Sequence, residues 1–572
     1  MRRLCWEIWL FNILAFVAGV MAQSPTAPST QSSKPNIIFI LTDDQDAAHN
    51  TNVTDVNPPY GGYPKFVSQG FNDAYLPVWL QEAGYETYYV GKLFNAHTVD
   101  NYASPYPAGF TASDFLLDPY TYEYLNATMQ RNQDPPVSYE GQYSTDVMAE
   151  KTFEFLHEAL GNDKPFFLTF APTAPHSNVN IKSNIIDGNF SEHSVTQSPP
   201  IPAERHRHLF ADVVVPRRPD FNPDTPHGVS WISRLPKQNQ TNIDFNDHFY
   251  RSRLRALQAV DEMIDGLFNR LSTAGALTNT YIFFSTDNGY HIGSHRLQPG
   301  KQCAFEDDIN IPLIVRGPNV PKRQTTQLVT THTDLAPTFL SLAGGLQRKG
   351  LDGSVIPLSV DQIERAKLGI VRTEHVNVES WGIIMSEGKY GSVLYPNHTY
   401  KALRVIGEHY NLLYMVWCSG EHELYNLNQD PFQMHNLYDE HALAFSYLPR
   451  GHGSIHTIPI ARLLIRLDAL LMVLKTCEGS ACTHPWSVLH PAGNVKSLHD
   501  ALDSRYDGFY SQQESVGFTK CEKGYIVESE RPDREAKRWV GVEDMEDVGV
   551  MVDEVYVLKT TNPSLRMEKT EL

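Results

Sequence analysis

The sequence predicts an α/β protein: a mainly parallel central sheet with helices on both faces, followed by a smaller C-terminal α+β domain. Two observations carry this. From Asn36 to about Glu374, short apolar strands alternate with helical periodicities, the pattern of a doubly covered parallel sheet. From about Trp381 the texture changes, and residues 402–406 and 412–417, joined across Gly407-Glu408-His409-Tyr410-Asn411, read as an antiparallel hairpin.

The 572 residues leave room for one large domain and a smaller one. Met1-Arg2-Arg3, the apolar run 8–20 and Val20-Met21-Ala22 have the basic start, short apolar core and small-residue end of a secretory signal. Residues 1–22 are therefore expected to be removed and the protein secreted. The run is interrupted by Asn12 and is short for a spanning helix, which argues against a stable membrane anchor. Residues 23–34, rich in Ser, Thr, Gln and Pro, read as a flexible linker.

The first strand, Asn36-Ile37-Ile38-Phe39-Ile40-Leu41, ends at Thr42-Asp43-Asp44-Gln45-Asp46. The residues after it are polar and turn-like, and no amphipathic helix is evident before Leu76, so the crossover that a parallel sheet needs looks too short here. Residues 76–83 read as a helix stopped by Gly84, and 85–90 as a strand ending at Gly91-Lys92. An aromatic, proline-bearing excursion runs to about Tyr143. Helix 144–160 then offers Val147, Phe153, Leu156 and Leu160 for burial, and strand 165–170 ends at Ala174-Pro175-His176. Residues 177–244, crowded with Pro, Asn and His, read as a long substrate-side loop.

A helix carrying Leu254, Leu257, Val260, Met263, Ile264, Leu267 and Leu271 on one side leads into Tyr281-Ile282-Phe283-Phe284-Ser285. There the polarity switches to Thr286-Asp287-Asn288-Gly289, a turn signature. Residues 310–316 form another strand, and 334–340 a capped helix start with Pro337 in its first turn. The expected division is a catalytic domain over 35–375, a smaller domain over 376–520 and an acidic, weakly structured tail over 521–572.

A net charge of −19 excludes nucleic acid and anionic membrane as partners, because both would be repelled by most of the surface. An anionic substrate must be drawn in by a local cluster of Lys and His. Asn52, Asn126, Asn189, Asn239 and Asn397 head N-glycosylation triplets. Past the signal, Cys303, Cys418, Cys477, Cys482 and Cys521 are odd in number, so one is left over; Cys477 and Cys482 are near enough for a local disulfide.

In open α/β sheets ligands bind outside the carboxyl ends of the strands. Asp43, Asp44, Asp287 and Asn288 stand there, and so do Lys92, His176 and, after Gly300, Lys301. Either acidic turn alone is what many strands carry; the pair is more specific. Three carboxylates and an amide suit Ca²⁺, or Mg²⁺, better than zinc. A divalent ion beside lysines stabilises the oxygens of a sulfate or phosphate ester as charge develops, and a His can protonate the departing alkoxide.

Lys34 to Gln45, Gly84 to Lys92, Ala174-Pro175-His176, Thr286 to Gly293 with Gly300-Lys301, and Glu423 to Leu427 with Asp430-Pro431 resemble the successive motifs of the sulfatase family, most of all the arylsulfatases of fungi. The resemblance implies an alkaline-phosphatase-like fold and a Ca²⁺ ion held by Asp43, Asp44, Asp287 and Asn288. It places Lys92, His176 and Lys301 around a sulfate, with Asn95 a further contact where many members carry His. It also exposes a departure. Sulfatases draw their nucleophile from a Cys/Ser-x-Pro-x-Arg motif, and none occurs in this chain. The family places that motif between the Asp-Asp-Gln turn and a segment resembling His49-Asn50-Thr51-Asn52-Val53, so an internal deletion is expected after Asp46.

Three functions compete: arylsulfatase-type hydrolysis by lineage in a chain that lacks its nucleophile, sulfate-ester binding without turnover, and a phosphoesterase of the same superfamily. The last needs a hydroxyl nucleophile, and Thr51 and Thr54 have no recognisable activating context.

Overall fold

A computed structural model describes residues 34–43, 61–181, 195–345, 348–367, 373–382, 384–387, 394–395, 398–438, 444–447, 456–522 and 524–539. In chain order the elements are β1 (Asn36–Thr42), α1 (Gly62–Ser68), α2 (Leu76–Glu82), β2 (Glu86–Lys92), β3 (Ala112–Leu116), β4 (Thr128–Arg131), β5 (Val137–Ser138), α3 (Ser144–Gly161), β6 (Phe166–Ala171), β7 (Asn178–Ile181), β8 (Val195–Ser198), α4 (Ser230–Ser233), α5 (Gln240–Thr273), β9 (Thr280–Thr286), α6 (Glu306–Ile309), β10 (Leu313–Arg316), α7 (Leu335–Leu342) and α8 (Val360–Lys367). The C-terminal part adds β11 (His375–Ser380), β12 (Ile384–Met385), β13 (Leu394–Tyr395), β14 (Tyr400–Ile406), β15 (Asn411–Trp417), β16 (His422–Asn426), β17 (Ala444–Tyr447), β18 (His456–Pro459) and α9 (Ile460–Leu474).

The large sheet has the order β10-β9-β1-β6-β2-β3-β4-β5. Strands β9, β1, β6, β2 and β3 run parallel, while β10 at one edge and β4 and β5 at the other pair antiparallel. The central strands are apolar on both faces because both faces are covered. Ile38, Ile40, Leu168 and Phe170 pack against Phe155 of α3 and Val260, Met263 and Leu267 of α5. On the other face Ile37, Phe167 and Phe283 meet Leu80 of α2 and Phe339 and Leu340 of α7.

The C-terminal sheet, β11-β14-β15-β16, is antiparallel throughout. Its two-residue period splits its side chains between two cores. Leu403, Val405, Leu412 and Tyr414 face α9, whereas Ala402, Leu413, Met415 and Trp417 face Leu297, Cys303, Ala304 and Phe305. The second sheet thus backs the loop that carries Lys301. Cys418–Cys521 and Cys477–Cys482 are disulfides, and the odd cysteine is Cys303, free and buried.

Several expectations change. Ahead of α2 the structure adds α1, which buries Tyr63 and Phe66 and is too short to show periodicity in the sequence. The deletion expected after Asp46 falls among residues 44–60, which lie outside the described residues. The excursion before Tyr143 holds β3, β4 and β5. Asp114 masks β3 in the sequence, and this buried carboxylate is matched by Lys151 Nζ at 2.6 Å. The strand read at 310–316 is β10, an antiparallel edge of the sheet. The long loop contains the β7–β8 pair and α4, and α5 begins at Gln240, where the side chain of Asn239 caps the helix by accepting from the Asn242 N–H at 3.0 Å. The tail is not loose from Cys521: Glu530 pairs with the buried Lys401 at 2.7 Å, and the Trp539 N–H donates to Leu489 O at 2.7 Å. Residues beyond 539 lie outside the described residues.

Candidate functional site

Sheet order decides which loops meet. In β1 and β9 Thr42 is level with Thr286, so both chains leave the sheet in step. The Asp287 N–H then donates to Thr42 O at 3.4 Å, and the Asp43 N–H to Ala174 O at 3.4 Å. Asp43 also forms a parallel bridge with Pro175, which brings in the His176 loop after β6. Strand β2, the next neighbour of β6, delivers Lys92, whose Nζ stands 3.3 Å from Asp43 Oδ1. Four consecutive strands, β9-β1-β6-β2, therefore contribute Asp287, Asp43, His176 and Lys92. Gly91 is needed for this approach: its φ is +117°, and a Cβ there would fall 1.9 Å from Ala171 O.

Asp43, Asp287, His176 and Lys301 are all buried, and Lys92 is nearly so. Asn288 donates its side-chain Nδ2 to Gly289 O at 2.5 Å and its backbone N–H to Asp287 Oδ1 at 2.9 Å. The amide nitrogen being engaged, Oδ1 is the Asn288 atom that a cation can use. Two buried carboxylates and an amide oxygen are hard donors, of the type that suits a divalent ion such as Ca²⁺ or Mg²⁺. Asp44, expected as a further ligand, lies outside the described residues.

A softer cluster stands close behind. Among the described residues, ligand atoms of His291, Cys303 and Asp308 all lie within 4.8 Å of one another. The hydrogen bonds account for it: His291 Nδ1 is 2.9 Å from both Asp308 oxygens, and Asp308 Oδ2 accepts the Cys303 N–H at 2.8 Å. Burial pushes the Cys303 thiol up, so it is a neutral, packed group.

His176 enters the site as a neutral imidazole. Burial, then the charges of Lys301 and Lys92, hold its pKa well below the usual range. Its Nδ1 lies 2.8 Å from Ser177 O, which as an acceptor calls for the Nδ1–H tautomer and leaves Nε2 as the basic atom.

Asn95 is beside the site, with its Oδ1 accepting from Tyr122 Oη at 2.9 Å. Tyr122 itself is a residue that sequence reasoning does not single out. Its ring stacks on His176 at 4.2 Å and lies 4.9 Å beneath Lys92 Nζ, so one half-buried phenol touches three of the expected residues. It sits in the aromatic excursion with no motif to mark it. Arg253 of α5 has no sequence signal either, although His176 feels its charge. Tyr290 lies within a family motif that gives it no role.

The sequence pattern described as Sulfatase matches residues 29–346. The arylsulfatase of Volvox carteri is 38% identical over 491 residues, covering 83% of this chain and 72% of that protein. Sulfatase ppz1 of Metarhizium majus is 39% identical over 419 residues, covering 73% of this chain and 86% of that protein. Among solved structures, BT4656 in complex with D-glucosamine-2-N,6-O-disulfate superposes with a TM-score of 0.52 at 19% identity, over 72% of this chain and 94% of that one. The last is a likeness of fold, and with the two relatives and the converging strand ends it makes one conclusion plain: this chain belongs to the sulfatase family.

Proposed function

We propose that this chain binds the sulfate group of small sulfate esters, in the lineage of the arylsulfatases, and that a polypeptide of this sequence does not turn them over. The observation that carries the reading is the convergence of Asp43, Lys92, His176, Asp287 and Lys301 at one end of the sheet. Lys92 and Lys301 offer ammonium groups to the sulfate oxygens, and His176 offers Nε2 at the ester side. Asp43, Asp287 and Asn288 hold the cation, with Asp44 as the fourth ligand. Ca²⁺ fits better than Mg²⁺, because a cage of protein oxygens suits the larger ion, whereas Mg²⁺ keeps most of its waters. When bound, the cation supplies charge stabilisation at the sulfate oxygens.

What the chain lacks is an attacking atom. With no Cys/Ser-x-Pro-x-Arg motif in 572 residues, the covalent step has no nucleophile and only binding remains. The basic, apolar start of the chain supports secretion, and among the described residues no helix is long and apolar enough to cross a membrane.

The deciding experiment is the sequence of the expressed transcript across the codons for Asp46 and Ala47. A direct junction there identifies a true non-catalytic relative and an insert identifies a skipped exon or faulty gene model; in either case the purified chain of this sequence is expected to bind aryl sulfate without hydrolysing it. An in-frame insert encoding the nucleophile motif would make the natural protein a working sulfatase, whereas hydrolysis by the purified chain of this sequence would overturn the second half of the proposal.

A further inference from the structure

Lys301 is held by residues that no motif singles out. Tyr290 Oη donates to Glu387 Oε2 at 2.8 Å, and the other oxygen of Glu387 lies 3.9 Å from Lys301 Nζ. Glu387 is 1% exposed and is anchored through its backbone: its N–H donates to Pro299 O at 2.7 Å, and the preceding Ser386 bridges Gly300. On the other side of Tyr290, the Arg253 guanidinium lies over the ring at 3.8 Å, and its Nη1 donates to Pro175 O at 3.1 Å, one residue before His176. Pro175, Arg253, Tyr290, Glu387 and Lys301 thus form an unbroken chain of contacts. It joins the loop after β6, the loop after β9 and the segment just past β12.

A lysine on a flexible four-carbon stem loses rotamer freedom when fixed, and a buried ammonium needs a counter-charge to stay charged. Glu387 supplies that charge at ion-pair distance, too long for a hydrogen bond. Tyr290 takes the second carboxylate oxygen and so fixes the orientation of the group. We infer that Arg253, Tyr290 and Glu387 are a positioning bracket that sets Lys301 at a fixed separation from the His176 loop, so that one sulfate is gripped from both sides. The inference rests on the reading of this site as a sulfate site, and it adds residues from the C-terminal part of the chain to that site.

The test uses the full chain with Ca²⁺ and the variants Tyr290→Phe, Glu387→Gln and Lys301→Met. The first removes only the hydroxyl and leaves the ring for Arg253; the second keeps shape and removes charge. One readout is the acetylation rate of Lys301 by acetic anhydride, followed by peptide mass mapping with exposed Lys496 as control; it needs no sulfate binding. The other is the affinity for inorganic sulfate by calorimetry. Both single variants are expected to raise Lys301 acetylation severalfold at unchanged Lys496 rate and to weaken sulfate about tenfold, the scale of one charge-assisted contact. In the Lys301→Met background neither should weaken sulfate further. Unchanged acetylation, or a loss of affinity that persists undiminished without Lys301, overturns the bracket. If the parent chain fails to bind sulfate, the functional proposal falls, while the acetylation rates still decide the bracket.

Discussion

Replacing Lys92 with Met removes one cation from the site and leaves Asp43 beside it. The Lys92 and Asp43 side chains are 12% and 4% exposed and 3.3 Å apart. Removing one partner of a buried pair costs about 3–5 kcal/mol, because the other charge is left uncompensated. Lys92 keeps some access to water, so the lower end, about 3 kcal/mol, applies to metal-free protein. A divalent ion at Asp43 replaces the lost charge, and it also escapes repulsion from the lysine. Ca²⁺ stabilises parent and variant alike, so the gap narrows only by the variant's gain in affinity; a gap that closes by about 2 kcal/mol corresponds to Ca²⁺ binding the variant about thirtyfold more tightly. Urea denaturation of parent and variant, in EDTA and in Ca²⁺, measures both gaps. The expected gap is about 3 kcal/mol in EDTA and under about 1 kcal/mol in Ca²⁺. Sulfate affinity should fall tenfold to a hundredfold, the loss of roughly 1.5–3 kcal/mol for a hydrogen bond to a charged group. An equal gap in both buffers would show that Asp43 is no metal ligand, and an undiminished sulfate affinity would remove Lys92 from the sulfate contact.

Tyr122→Leu takes away the stacking on His176, the ring under Lys92 and the bond to Asn95, and should weaken sulfate about tenfold; Tyr122→Phe loses only the Asn95 bond and should cost no more than about threefold, both read by calorimetry. Glu423, buried between Trp417 and Tyr425, has its carboxyl pushed up to about 7 by burial. The folded chain keeps a proton that the unfolded chain releases near 4.5, so this contribution to stability is complete below about pH 4.5 and is lost as pH rises through 7. Glu423→Gln should therefore gain roughly 3 kcal/mol relative to the parent between pH 5 and pH 8 in urea melts, and parallel pH profiles would contradict this. The Cys418–Cys521 disulfide spans 103 residues and Cys477–Cys482 only 5, so paired Ser replacement of the first should cost about 4–5 kcal/mol and of the second about 2 kcal/mol in denaturant melts.

Much of this molecule is legible in its sequence because polarity changes sharply at strand ends. Asp43, Lys92, His176 and Asp287 each come after a run of apolar residues, and a parallel sheet turns that one-dimensional fact into a shared location. The hidden part depends on contacts distant in sequence. Tyr122 reaches His176 across 54 positions of chain, and Glu387 reaches Tyr290 across 97, with no local spacing to announce either. Strand β3 is obscured because its buried Asp114 is neutralised by Lys151 from a helix later in the chain. Helix α1 is invisible because seven residues with two buried aromatics carry no measurable period. The case for a deletion from the absent nucleophile depends on residue identity alone and needs no local period.

The most direct test is a calorimetric titration of an aryl sulfate into the Ca²⁺-loaded full chain, with free inorganic sulfate assayed in the cell at the end. Saturable binding that disappears in EDTA and weakens tenfold to a hundredfold in Lys92→Met, with no sulfate released, is the predicted result. Sulfate released with turnover would show that an attacking group exists in this chain after all. No binding in Ca²⁺ would show that the strand-end cluster is not a sulfate site.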